Sequence, residues 1–311
     1  MAAAAGLTRM DFAFDPFLAF GWCVLAGFMM SMGAGGGGIL AGIGHISILG
    51  VGDANMIKVV NQILEFSSRL VSVPLYHRQK RLVASLALTF GIGAPFGAIA
   101  GSWVSRTYLA DMAVYRSVFG LLVACVAARV LYEGWAKAML AHAGLRKAQE
   151  ASERVAKSAR AAGAAAPSVG DAPRTTHFGW WSSGVRFGGE HFDFNPIAAA
   201  AGGFAISFIG SMLGVGGGFL VTPFMASLLL FPMYLVVGTG LVALMIPLTV
   251  SVLTYLALDV NVDWQLVAIE VPGVLAGSFL GPLLNRYMNE KALKTFVAVV
   301  LLASGVYYVL F

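Results

Sequence analysis

The chain has 311 residues, 59% of them hydrophobic and only 11% charged, with a formal net charge of +5. Soluble domains carry roughly 25% charged residues, so this composition excludes an ordinary soluble protein and describes a membrane protein. The basic surplus reads as positive inner loops and not as a nucleic-acid surface. The two cysteines, Cys23 and Cys125, exclude a disulfide framework and a paired-cysteine metal centre.

Five hydrophobic segments are predicted before a polar linker, at 16–32, 37–50, 55–76, 82–104 and 112–135. Five more follow it, at 196–213, 217–231, 234–258, 264–284 and 291–311. Asp11 and Asp15 precede the first segment where a basic region would stand, so it does not read as a cleaved signal peptide. Segments 37–50 and 217–231 reach only ~21 Å as helices, short of the ~30 Å hydrocarbon core. Each is read as part of a re-entrant helical hairpin, a tilted full crossing being the alternative. The linker, 136–193, is rich in Ala, Ser, Gly and charge, and its 161–173 stretch is low-complexity and flexible in character. The domain reading is therefore 1–135, a first transmembrane repeat; 136–193, a linker; and 194–311, a second repeat.

A glycine-rich phrase marks both halves. Ser31-Met32-Gly33-Ala34-Gly35-Gly36-Gly37-Gly38-Ile39-Leu40 returns 180 residues later as Ser211-Met212-Leu213-Gly214-Val215-Gly216-Gly217-Gly218-Phe219-Leu220. Weaker echoes follow in the same order. Val59-Val60-Asn61-Gln62 matches Val236-Val237-Gly238-Thr239, and Ala100-Gly101-Ser102-Trp103 matches Ala276-Gly277-Ser278-Phe279. A duplicated unit explains these matches. Glycine is costly inside a helix, so both helices are interrupted there. Breaks at corresponding places in two halves point to a transporter's substrate site. Gly33 to Gly38 also fits GxGxxG, but no strand precedes it and no acidic partner follows, so a dinucleotide site is not inferred.

Charge sets the orientation. The basic loop His77-Arg78-Gln79-Lys80-Arg81 and the basic linker are read as cytoplasmic, with Asp259 and Asp263 in an outer loop. Segment 264–284 then runs opposite to its equivalent 82–104. The expected fold is all-α, with two inverted-topology repeats, 8–10 transmembrane or re-entrant helices and both termini external.

Unwound backbone at mid-membrane is tolerated where it is buried in protein or lines a cavity. Gly35, Gly36, Gly37 and Gly38, with Gly216, Gly217 and Gly218, are accordingly read as an anion-binding nest; close helix packing through small residues is the alternative. Segment 55–76 places Lys58, Asn61, Gln62, Glu65 and Arg69 on one helical face, which must look into the protein or a wet cavity. Glu65 and Arg69, one turn apart, form either a structural ion pair or part of the site. Lys58 snorkels or supplies positive potential. Asn61 and Gln62 are read as hydrogen-bond donors to substrate, with Gly238 and Thr239 as their second-half counterparts. Glu270, inside an apolar run, is either a proton-coupling carboxylate or an interfacial acid. His45 follows the first break and has no partner visible in the sequence; it is read as a core or cavity histidine in preference to a metal ligand, and is grouped with Lys58, Glu65, Arg69 and Glu270 as a candidate for charge or proton coupling. No zinc-ligand spacing and no nucleophile constellation is present, and no cofactor is expected.

With these residues in place, the chain resembles the TauE/SafE family of membrane transporters, the sulfite exporter or toluenesulfonate-uptake type. Gly214-Val215-Gly216-Gly217-Gly218-Phe219-Leu220 with Pro223 and Val237-Gly238-Thr239 carry the resemblance most specifically. The first half departs from it with Asn61-Gln62, and the linker is longer than typical. The resemblance implies a multi-pass protein of the bacterial cytoplasmic membrane that moves a small sulfur-containing anion, a sulfonate or sulfite. The expected partners are that anion, membrane lipid and a coupling proton or sodium ion; a homo-oligomer is compatible with this. The alternatives are a carrier or channel for carboxylates or other anions, a membrane-embedded enzyme, or a structural membrane partner.

Overall fold

The computed structural model of the protein describes residues 14–32, 36–136, 150, 154, 172–284, 302 and 305–308. The predicted segment 291–311 and the low-complexity part of the linker lie almost wholly outside the described residues. The helices are α1 (Pro16–Ser31), α2 (Gly37–Ile43), α3 (Ala54–Arg78), α4 (Ala84–Tyr108) and α5 (Met112–Ala136). Three strands follow, β1 (Arg174–Phe178), β2 (Ser183–Phe187) and β3 (Glu190–Phe194). Then come α6 (Pro196–Leu213), α7 (Gly218–Pro223), α8 (Met233–Ala243), α9 (Met245–Ala257) and α10 (Trp264–Leu284). Among the described residues, Ala84–Tyr108, Pro196–Leu213, Met233–Ala257 and Trp264–Leu283 are long and apolar enough to cross a bilayer. The apolar body is that of an all-α, multi-pass membrane protein.

Among the described residues, four aspartates start helices. Asp15 accepts from the Phe17 and Leu18 amides at 2.9 and 3.2 Å, and Asp53 from Asn55 and Met56 at 2.8 and 3.2 Å. Asp111 does the same for α5 and Asp263 for α10, with Asn195 serving α6. Each satisfies amides that a helix leaves without internal partners. Segment 234–258, expected as one helix, is divided at Leu244 into α8 and α9. Pro247 follows the break and has no N–H to carry the helical ladder across it.

The helices that flank each glycine phrase pack as an antiparallel hairpin. In the first, Gly37 lies against the Met30 backbone and Gly44 against Trp22, whose Nε1 donates to the Leu40 carbonyl at 2.8 Å. In the second, Gly210 lies against Gly217 and Gly202 against Phe224. Both returning arms end in a π turn, Gly44–Ile48 and Phe224–Leu228. The first arm, 37–48, reaches only ~18 Å at 1.5 Å per residue.

The halves are joined reciprocally. The first helix of each half packs on a later helix of the other, α1 on α10 and α6 on α4. Both seams are ladders of glycines four apart. A Cβ on Gly93, Gly97 or Gly101 would overlap the carbonyls of Ala200, Phe204 or Phe208. On α10, Gly273 and Gly277 meet the carbonyls of Phe20 and Val24 in the same way. Without side chains these backbones approach closely, the source of dispersion energy where lipid offers no hydrophobic drive. Two serine bridges repeat the relation: Ser102 with Ser251 and Ser278 with Ser68, each at 2.7 Å.

The end of the predicted linker is folded. Residues 174–194 form an antiparallel sheet in the order β1-β2-β3. Gly188 (φ 58°) and Gly189 (φ 83°) make its second turn, the two left-handed residues that a tight hairpin requires. Val185, Phe187, Phe192 and Phe194 face the bundle. Phe231 receives Phe192 and Phe194, with ring centroids at 6.0 and 5.7 Å, and Tyr234 stacks on Phe187 at 5.6 Å. The basic loop 77–81 lies on the same side: Arg81 covers the Tyr234 ring at 4.2 Å, and Tyr234 donates to the Gln79 carbonyl.

Candidate functional site

The two glycine turns meet on α3. Gly214, Gly216 and Gly217 have φ of 68°, 61° and 75°, a left-handed region in which other residues are strained. They end α6, turn the chain and start α7. The interrupted ends of α1 and α6 are closed in matching fashion. Tyr76 of α3 donates to the Ser31 carbonyl at 3.0 Å, and Tyr255 of α9 to the Ser211 carbonyl at 2.8 Å. Each tyrosine satisfies a carbonyl at a helix end, and the Ser211 carbonyl accepts from Gln62 as well.

Glu65 lies between the turns. A Cβ on Gly38 would overlap its Oε1, and a Cβ on Gly216 would overlap its Oε2. Arg69, one helical turn on, donates from Nη2 to Oε2 at 2.6 Å and from Nη1 to the Glu65 carbonyl at 2.7 Å. Both side chains are almost fully buried, at 3% and 4% exposure. Among the described residues, Arg69 Nε has no hydrogen-bond partner. Beside the pair is a pocket lined by Gly37, Gly38, Gly218 and Gly240, with Thr222 and apolar side chains completing it. Its open volume is about 30 Å³.

A second polar centre joins α1, the first π turn, α3 and α10. His45 sits in that π turn, and its Nδ1 meets Asn61 Oδ1 at 2.8 Å. Its Nε2 meets both Glu270 oxygens at 2.9 Å, and Cys23 lies beside the same carboxylate. His45 and Glu270 are each 1% exposed. Glu270 is thus an interior group, and His45 has the partner that no sequence spacing disclosed.

The remaining residues fall outside the pocket. Gln62 Nε2 donates to the Ser211 carbonyl at 3.3 Å, next to the second break. Thr239 Oγ1 accepts from the Val83 amide at 3.0 Å, and Gly238 lies against the Arg81 carbonyl, so both serve the start of α4. Lys58 is fully buried; its Nζ donates to the Leu109 carbonyl at 2.6 Å and to Asn55 at 3.2 Å and stands over the Tyr115 ring. It pins the end of α4 and does not snorkel. Gly36 caps α2 and Gly217 caps α7; Gly35 lies outside the described residues. Asn61 Nδ2 and Gln62 Oε1 are buried without partners among the described residues. Gly240, next to Thr239 on α8, does line the pocket.

The family model for the sulfite exporter TauE/SafE matches residues 19–308. The chain is 28% identical over 114 residues to the "Probable membrane transporter protein YunE" of Bacillus subtilis, covering 37% of this chain and 41% of that protein. It is 26% identical over 111 residues to the "Probable membrane transporter protein MJ0441" of Methanocaldococcus jannaschii, covering 34% and 41%. The matched part thus spans less than half the length of each of these relatives. No solved structure matches.

Proposed function

The chain belongs to the sulfite exporter TauE/SafE family, and from that premise we propose that it is a secondary transporter, and not an enzyme, for a small sulfur-containing anion. A sulfonate or sulfite is the substrate class. Its site is the pocket between the two glycine turns, beside Arg69. The protein works by alternating access in a cytoplasmic membrane, with the linker and the 77–81 loop inside and both termini outside.

The observation that carries this reading is a buried guanidinium at the meeting point of two helix breaks. Arginine is the side chain best suited to an oxyanion, because its donors match two oxygens at once. Glycine turns supply backbone with no side chain to exclude the ligand. The reciprocal contacts of the halves, α1 with α10 and α6 with α4, favour a pair of inverted repeats that rock against each other. The fixed pattern of basic loops favours the orientation.

Purified protein in liposomes, given labelled sulfite and a labelled short-chain sulfonate, tests it. Saturable flux of either is the expected result. No flux from folded protein, against saturable flux of a carboxylate or halide, overturns the substrate class while keeping a carrier; no flux of any anion overturns transport.

A further inference from the structure

The inference rests on the pocket reading above and concerns what the Glu65 carboxylate does there. Three observations bear on it. The first is place. Glu65 fills the gap between Gly38 and Gly216 so closely that neither glycine has room for a methyl group. The pocket, about 30 Å³ in cavity volume, lies beside that carboxylate. An anion reaches the Arg69 donor that Glu65 holds only if the carboxylate moves away.

The second is the unspent donor. Arg69 commits Nη1 and Nη2 to Glu65 itself, while its buried Nε has no partner among the described residues. A guanidinium has five N–H donors in a fixed fork, so an oxyanion taking Glu65's place gains bonds that the carboxylate does not use.

The third is charge. Glu65 and Arg69 are the only charged or titratable side chains among the described residues lining the pocket. Met30 of α1, the glycines of α2, Thr222 of α7 and the valines of α8 supply the walls. His45 and Glu270, on the first π turn and α10, are bonded to each other. The Glu65–Arg69 pair is neutral as it stands. An anion added alone leaves the pocket with an uncompensated buried negative charge, which a low-dielectric interior resists strongly. An anion added with one proton leaves it neutral again.

We propose that Glu65 is an internal stand-in for the transported anion, and that protonation of Glu65 admits the anion to Arg69 with a stoichiometry of one proton per anion. The carboxylate of Glu65 takes up the proton and becomes a neutral acid. It gives up its charge-assisted bond to Arg69. The anion then occupies the guanidinium, and the new O–H of Glu65 is free to donate to one of its oxygens. Charge balances on both sides: one carboxylate, one proton and one anion become one carboxylic acid and one bound anion. Proton and anion therefore cross together as an electroneutral pair.

Ethanesulfonate is the probe, because it stays anionic throughout the pH range used. Its affinity for purified full-length protein is measured between pH 5 and 9, for wild type, Glu65→Gln and Arg69→Ala. In wild type the affinity rises as pH falls, approaching tenfold per pH unit where Glu65 is ionised, as one-proton linkage requires. Glu65→Gln, a permanent mimic of the neutral acid, binds at least as tightly as wild type at its best pH and independently of pH. Arg69→Ala loses binding at every pH. A wild-type affinity independent of pH, or a Glu65→Gln protein that keeps the wild-type pH profile, overturns the proposal and leaves the pocket reading standing. If wild type binds ethanesulfonate at no pH, the substrate class fails instead, and thermal unfolding in chloride or sulfate reads the gate. Either salt stabilises Glu65→Gln more than wild type if Arg69 has been released; an equal shift overturns the proposal.

Discussion

His45 and Glu270 stand 225 residues apart in the chain and meet at 2.9 Å inside the bundle, each 1% exposed. Each belongs to a different half of the sequence, so the contact ties the first hairpin to α10. Removing one partner leaves the other buried and unsatisfied, which is costlier than losing a surface pair. Glu270→Ala is expected to destabilise the protein by about 3 kcal/mol, at the low end for breaking a buried pair. Glu270→Gln, which still offers an oxygen to the ring, costs less. Thermal unfolding of the two variants in detergent checks the order; equal losses would mean that the contact contributes little.

The glycine seams predict a position-specific response. Gly97→Ala and Gly277→Ala place a methyl group on the carbonyls of Phe204 and Val24 and force apart α4 from α6, or α1 from α10. Gly21 has open space around its Cα, so Gly21→Ala is the control, expected to be neutral or slightly stabilising through helix propensity. Overpacking costs about 1–3 kcal/mol. Melting temperatures of the three variants distinguish a tight seam from a tolerant one.

Much of this was legible in the residues, and what was not has physical causes. The helices and their interruptions at the glycine phrases follow from hydrophobic run length and from clustered glycine. Polar residues at helical spacing put Glu65 and Arg69 on one face, and the structure pairs them. Their position between the two turns depends on how the hairpins dock, which no local pattern encodes. The His45–Glu270 pair was hidden for the same reason. Other signals of the packing stand in the sequence. Gly93-Gly97-Gly101 and Gly273-Gly277-Gly281 are four-residue ladders, and Tyr76 and Tyr255 stand 179 residues apart. Val185 and Phe187 alternate across Gly188-Gly189 from Phe192 and Phe194, a hairpin pattern inside a stretch whose overall polarity suggested linker.

The left-handed turn gives a graded test. A Cβ on Gly217 meets first a side-chain methyl of Ile206 at 3.0 Å, so backbone strain outweighs crowding there. Gly217→Ala is expected to cost about 1–2 kcal/mol, and Gly217→Asn less, because asparagine tolerates the left-handed region. At Gly216 the added methyl also meets Glu65, so Gly216→Ala is the more damaging and disturbs the Arg69 pair as well. Chemical unfolding of the three proteins orders them.

Phe231 carries the sheet. It is 1% exposed and receives both Phe192 and Phe194. Phe231→Ala removes that ring at a cost of about 3–5 kcal/mol. Limited proteolysis is expected to cut the variant at the Gly188-Gly189 turn while sparing the helices. Cleavage no faster than in wild type would show that other contacts hold the sheet.

The central claim is that the anion binds beside Arg69, between the two glycine turns. An electron cryo-microscopy map of the protein saturated with a short-chain sulfonate tests it most directly. The account predicts sulfonate density within hydrogen-bonding distance of Arg69, with Glu65 displaced from Gly38 and Gly216. Sulfonate density at the His45–Glu270 centre or elsewhere, with the Glu65–Arg69 pair intact, would contradict it.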